Sequence, residues 1–103
     1  MLLQIEQADY LGNYRFKLKF NDGKAGIADI HPLLESKPKE IFSPLSDERF
    51  VRRFTLDHAT LCWPGELDVA AEYFYFLAFR DDHSLRQQFI DWGYLPNPSQ
   101  LPV

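Results

Sequence analysis

Three histidines, one cysteine and a scatter of carboxylates are the residues of this 103-residue chain with most scope for chemistry. Cys62 is the one candidate thiol nucleophile. It stands between Leu61 and Trp63 with no basic partner beside it, and no G-x-S-x-G elbow occurs anywhere. A thiol in such apolar company behaves as a small hydrophobe, not as a thiolate. His31, His58 and His83 lie far apart, and neither C-x-x-C nor H-E-x-x-H is present. The spacing predicts no metal site. The five glycines are dispersed, and none opens a helix in the manner of a phosphate-binding loop. No cofactor is expected, and no catalytic residue is assigned.

Acid–base chemistry has one place to reside. Asp57, His58, Glu66 and Asp68 gather along the chain near Trp63. A carboxylate beside a tryptophan in a cleft can have a raised pKa. Asp57, His58, Trp63 and Asp68 therefore form a candidate pocket for a small ligand or a reaction. Structural roles explain the same residue types with fewer assumptions: Asp57 in a turn, Asp68 as the cap of a helix. A second candidate surface is basic. Arg15, Lys17 and Lys19 share one strand face, with Lys24 joining them across a hairpin. Such a stripe can meet nucleic-acid phosphates or an acidic partner. No aromatics are interleaved on it and the chain's net charge is −4, which argues against nucleic acid.

These residues need elements to position them. Residues 2–9 read as a strand, and Gly12-Asn13 as a two-residue hairpin loop. Tyr14, Phe16, Leu18 and Phe20 then alternate with Arg15, Lys17, Lys19 and Asn21, the period-two signature of a strand with one dry face. Asn21-Asp22-Gly23 reads as a second turn and residues 24–30 as a third strand. Pro32 starts a short helical turn. Ser46 is positioned to cap a short helix carrying Phe50, Val51 and Phe54 on one side, with acids early and arginines late. Residues 54–57 and 60–63 are short strands, and Pro64-Gly65 ends the second. Asp68 then caps a helix over Val69–Phe79. Asp81-Asp82-His83 breaks it. Ser84 opens a last helix that runs through Trp92, with Gly93 at its C′ position. The tail LPNPSQLPV carries three prolines and is expected to lie extended.

Nine Phe, five Tyr and two Trp exceed what one modest core needs, so aromatic surface is expected to be left for a partner. The helix over 69–79 is apolar nearly all round and must be covered on both sides. Either residues 84–103 do this, or a second chain does, as a protein partner or in a homodimer. Tyr73, Phe74, Tyr75 and Phe79 are the candidate interface. The first ten residues show no signal-peptide pattern, no run approaches the ~18 apolar residues of a membrane span, and a lone cysteine fits a reducing compartment. The expected address is cytoplasmic, without membrane contact.

The order of motifs is also informative. FNDGK at 20–24, ADIHPLL at 28–34, FSPLSDERF at 42–50 and LCWPGELDV at 61–69 fall in sequence. This resembles the small bacterial family called domain of unknown function 2442, over about residues 8–79. Gly65-Glu66 stands where that family usually has Asn-Gly. The resemblance implies a compact α+β domain with an antiparallel sheet, and a role beside a second small protein, as in toxin–antitoxin pairs. It supplies no catalytic residues. Some relatives carry a DNA-binding helix-turn-helix after this domain. Here one short helix with a single arginine, Arg86, follows, which is too little chain for one.

The expected fold is thus α+β: a three-stranded antiparallel meander, two further short strands, and two or three short helices packed on the sheet. Residues 1–79 form the compact unit, and residues 80–103 supply a C-terminal helix and a proline-rich tail packed on it. The leading functional expectation is a non-catalytic protein–protein interaction module, a subunit or antitoxin-like partner. A small-ligand pocket or enzyme near Trp63 is the alternative, and weak nucleic-acid contact through the basic face is a third.

Overall fold

The structure is a computed structural model and describes residues 2–35 and 39–96. Its first layer is an antiparallel meander of β1 (Ile5–Gly12), β2 (Arg15–Phe20) and β3 (Ala25–Asp29). The period-two pattern decides which face is dry. Phe16, Leu18 and Phe20 are fully buried, whereas Arg15, Lys17 and Lys19 are exposed. Each such side chain contributes on the order of 1.5–3 kcal/mol when taken out of water. Gly23 adopts φ 89° in the second turn, and Phe20 N–H donates to Lys24 O at 2.9 Å across it.

The first turn differs from expectation by one residue. Gly12 pairs with Arg15, so the loop is Asn13-Tyr14, with φ 52° and 62°. Two left-handed residues give the twist a tight hairpin needs. Tyrosine is a costly residue at such a position, and contacts from elsewhere hold it there. Tyr14 Oη donates to Ser46 O at 2.9 Å, and Tyr14 N–H donates to Tyr10 Oη at 3.0 Å.

Short helical segments α1 (His31–Leu34) and α2 (Lys39–Phe42), then a 3-10 turn over Ser43–Ser46, lead to α3 (Glu48–Val51). The cap of α3 is Asp47, which accepts from Arg49 N–H at 2.9 Å; Ser46 instead closes the 3-10 turn on Ser43 O. A second antiparallel sheet follows, of β4 (Thr55–Asp57), β5 (Thr60–Trp63) and β6 (Leu67–Asp68). The sixth strand was not expected. Cys62 pairs with Asp68 and Trp63 with Leu67, so Asp68 belongs to a strand edge and does not cap the next helix. Gly65 and Glu66 are both left-handed, at φ 85° and 62°. That is the geometry Asn-Gly favours, and Gly-Glu keeps it with Glu66 carrying the strain.

Helix α4 spans Ala71–Phe79 and has no side-chain cap; Ala70 occupies that position. It packs on β3 at Gly26. A Cβ there would lie 2.7 Å from the Phe79 ring and 3.4 Å from Ala78 Cβ, so glycine permits the close approach. Asp82, not Ser84, caps the 3-10 turn His83–Leu85 that precedes α5 (Arg86–Asp91). Gly93, at φ 86°, ends α5 as expected: its N–H donates to Ile90 O and Tyr94 N–H to Phe89 O, the paired bonds of a Schellman motif. Phe89 is fully buried, 5.1 Å from the ring of Phe76, and Tyr94 stacks on Phe76 at 5.3 Å. Trp63 joins the two sheets from within. Its ring lies 6.4 Å from Phe16 and 6.4 Å from Phe74, and its Nε1–H donates to Val51 O at 3.0 Å. The end of the proline-rich tail, residues 97–103, lies outside the described residues.

Candidate functional site

Two outer surfaces and one helix carried the functional expectations. The second sheet gathers most of the acid–base set. Asp57 and His58 stand at the β4–β5 turn, where His58 and Ala59 are left-handed, at φ 50° and 69°. Cys62 and Asp68 face each other across β5–β6, and Glu66 lies in the turn between them. Together these five residues line an open groove of about 310 Å³. Trp63 is not among them. Strand alternation sends Cys62 outward and Trp63 into the core, where it is 3% exposed. The expected pocket therefore keeps Asp57, His58 and Asp68, gains Cys62 and Glu66, and loses its tryptophan.

The electrostatics of this groove are those of a resting thiol. Burial pushes the Cys62 thiol up, and the charges of Asp68 and Asp57 push it further. A nucleophilic cysteine needs the opposite environment. His58 Nε2 lies 3.6 Å from Asp57 Oδ2, with both side chains well exposed. Among the described residues, no three histidine, cysteine or carboxylate groups converge to hold a metal ion. His31 is occupied otherwise, with Nδ1 2.6 Å from Asp29 Oδ1 and its ring 4.7 Å from that of Tyr14.

The outer face of the first sheet holds the basic stripe. Arg15, Lys17 and Lys19 are exposed on it, and among the described residues they form no ion pair. Lys17 is registered against Asp9 on β1 and Ile27 on β3, Lys19 against Gln7 and Ala25, and Arg15 against Asp29. Acids thus flank the stripe on both sides. Lys24 does not extend it. It pairs beside Phe20, and its Nζ lies 5.9 Å from the Phe79 ring, toward α4. Two large apolar side chains, Leu11 and Ile27, are exposed on the same sheet, Ile27 at 51%.

The aromatic helix is largely consumed within the chain. Phe74 and Tyr75 are buried, and Tyr73 and Phe79 are half-buried. Residues 83–95 supply much of the cover: Phe89 and Trp92 approach Tyr75 at 6.3 and 6.0 Å, and Tyr94 approaches Tyr73 at 5.3 Å. Tyr75 Oη also donates to Asp22 Oδ2 at 2.7 Å; burial, then that carboxylate, push its pKa well above the ordinary tyrosine value. Phe74 and Tyr75 offer no free surface for a second chain.

Sequence reasoning missed one cluster. Glu48 Oε1 accepts from Tyr10 Oη at 2.6 Å and from Asn13 N–H at 3.0 Å, and Arg52 lies 3.7 Å away. The Tyr10 hydrogen bond, then that of Asn13, hold the carboxyl below its ordinary range. No local signal marks the cluster, because Tyr10 and Glu48 are 38 residues apart.

The class of protein these features define is a small α+β domain of two antiparallel sheets around one aromatic core, with one sheet open to solvent. The chain belongs to the family described as "Protein of unknown function (DUF2442)", which matches residues 5–80. No curated protein and no solved structure matches it. Among the described residues, no helix is long and apolar enough to cross a membrane.

Proposed function

We propose that this domain is a non-catalytic protein–protein interaction module that works beside a second protein. The observation that carries this reading is the outer face of the first sheet. Among the described residues it is uncovered, it exposes Ile27 and Leu11, and its three central cations make no direct ion pair, though the charge of Arg15 acts on Asp29. Exposed apolar side chains set among charges of both signs are what a protein surface can use and bulk water does not need. The flanking Asp9 and Asp29, and the absence of aromatics among the described residues of this face, support a protein partner over nucleic acid. The single thiol supports a reducing, cytoplasmic setting.

The groove at Asp57, His58, Cys62, Glu66 and Asp68 is the second reading, as a small-ligand site. It has less support, because it is acidic and its thiol is not activated. The test is a pull-down of tagged chain from its native host at moderate salt, read by mass spectrometry and by the mass of the complex. A stoichiometric protein partner that Leu11→Asp or Lys17→Glu removes is the expected result. Retention of every partner by both variants would move attention to the acidic groove.

A further inference from the structure

Among the described residues the edge of β3 is open. Phe20 N–H bonds Lys24 O and Ile30 N–H bonds Tyr14 O, so even-numbered residues of this strand direct their backbone groups to β2. Ala25, Ile27 and Asp29 direct theirs outward, on the side where, among the described residues, β3 has no neighbouring strand. An edge of this kind is a template for another strand. Beside it runs a groove of about 300 Å³ lined by Ile27, Asp29 and Pro32, by Leu77 and Ala78 of α4, and by Arg80 and Asp81 just after it.

We infer that this edge receives an extended segment of a partner protein as a fourth strand, with an acidic side chain placed beside Ala25. The inference rests on the interaction reading above and names the partner's chemistry. Side chains opposite Ala25, Ile27 and Asp29 emerge on the outer face. Ala25 is small, and Lys19 is registered directly behind it, so an acid opposite Ala25 meets a cation across one methyl group. Opposite Ile27, 51% exposed, an apolar residue fits. Opposite Asp29 a neutral or basic residue fits. Intervening side chains turn toward the groove beside α4, where Leu77 and Ala78 offer apolar contact and Arg80 and Asp81 border it with charge. A second copy is the wrong occupant. Its α4 rides on its own β3 at Gly26, and pairing two such edges at roughly 4.8 Å would drive together helices about 10 Å wide.

The test is a titration of the full chain with the peptide GKVIVEG, which presents lysine, isoleucine and glutamate outward when antiparallel, and with GKVIVKG as its acid-free counterpart. Amide NMR shifts locate the contact. The expected result is shifts at Ala25, Ile27 and Asp29, and at least tenfold weaker binding of the acid-free peptide. Ile27→Pro removes an outward N–H and none that pairs with β2, so it should abolish binding with the fold retained. Should that variant unfold, Ala25→Glu decides. Ala25 is exposed, and its replacement by glutamate should weaken GKVIVEG at least tenfold and strengthen GKVIVKG. Shifts elsewhere, unchanged affinity in Ala25→Glu, or stronger salt-sensitive binding of a single-stranded oligonucleotide to this face would overturn the inference. A host partner that Ala25→Glu keeps and Lys17→Glu loses would overturn the edge alone and leave the module standing. Capture of no stoichiometric protein would overturn the module itself.

Discussion

The phenol of Tyr10 donates to Glu48 Oε1 at 2.6 Å, and the same oxygen accepts the N–H of Asn13 at 3.0 Å. One carboxylate on α3 thereby fixes a strand and the strained turn that follows it. Tyr14, left-handed at φ 62°, can stay there because both ends of its residue are held: its N–H by Tyr10 and its phenol by Ser46. Tyr10→Phe removes the link between Glu48 and the Tyr14 N–H. It should lower the thermal midpoint by a few degrees and speed amide exchange at Asn13 and Tyr14, measurable by calorimetry and NMR.

The same contact sets a pH dependence. Glu48 has a folded-state pKa below its unfolded value, because its charged form accepts the Tyr10 and Asn13 hydrogen bonds. Its contribution is present above the unfolded pKa and is lost as pH falls through the folded one. Urea midpoints of the wild type and Glu48→Gln should therefore differ near pH 7 and converge toward pH 3. A constant gap across that range would deny the carboxylate this role.

Gly26 should tolerate no branched side chain. Its Cβ position is 2.7 Å from the Phe79 ring, so Gly26→Val overpacks the α4–β3 contact at a cost of about 1–3 kcal/mol. Phe79→Ala in the same chain should recover part of that loss, because the two sites are in contact and do not add independently. Denaturant titration of the four-member cycle measures the coupling.

Phe74 and Phe89 are core residues, each fully buried. Phe74→Ala should cost about 3–5 kcal/mol, enough to unfold much of a marginally stable domain. Circular dichroism would show loss of the fold itself. A folded Phe74→Ala chain that lost only a binding partner would return the aromatic helix to the status of an interface.

Glu66 occupies a left-handed position at φ 62° beside Gly65. Glu66→Gly relieves that strain and costs some unfolded-state entropy in return, for a net stabilisation of up to about 1 kcal/mol. Chemical denaturation reads the sign directly.

The sequence by itself determined the parts whose reasons are local. Phe16, Leu18 and Phe20 had to share a buried face, because a strand alternates every residue. Asn21-Asp22-Gly23 had to turn, and Gly93 had to end a helix, because glycine reaches positive φ without a Cβ clash. The basic stripe was legible for the same reason, though Lys24 was not, since its side of the sheet depends on where the turn bonds close. Only tertiary structure decided the rest. The first hairpin loop moved to Asn13-Tyr14 because Glu48, 35 residues from Asn13, holds it there. Asp68 became a strand residue because Cys62 stood ready to pair with it. The aromatic helix, equally suited to a partner or to its own chain, was covered in large part by Phe89, Trp92 and Tyr94. Apolar surface has no directional preference for what covers it, so its periodicity states that a cover is needed. The path of the chain in three dimensions chooses which one.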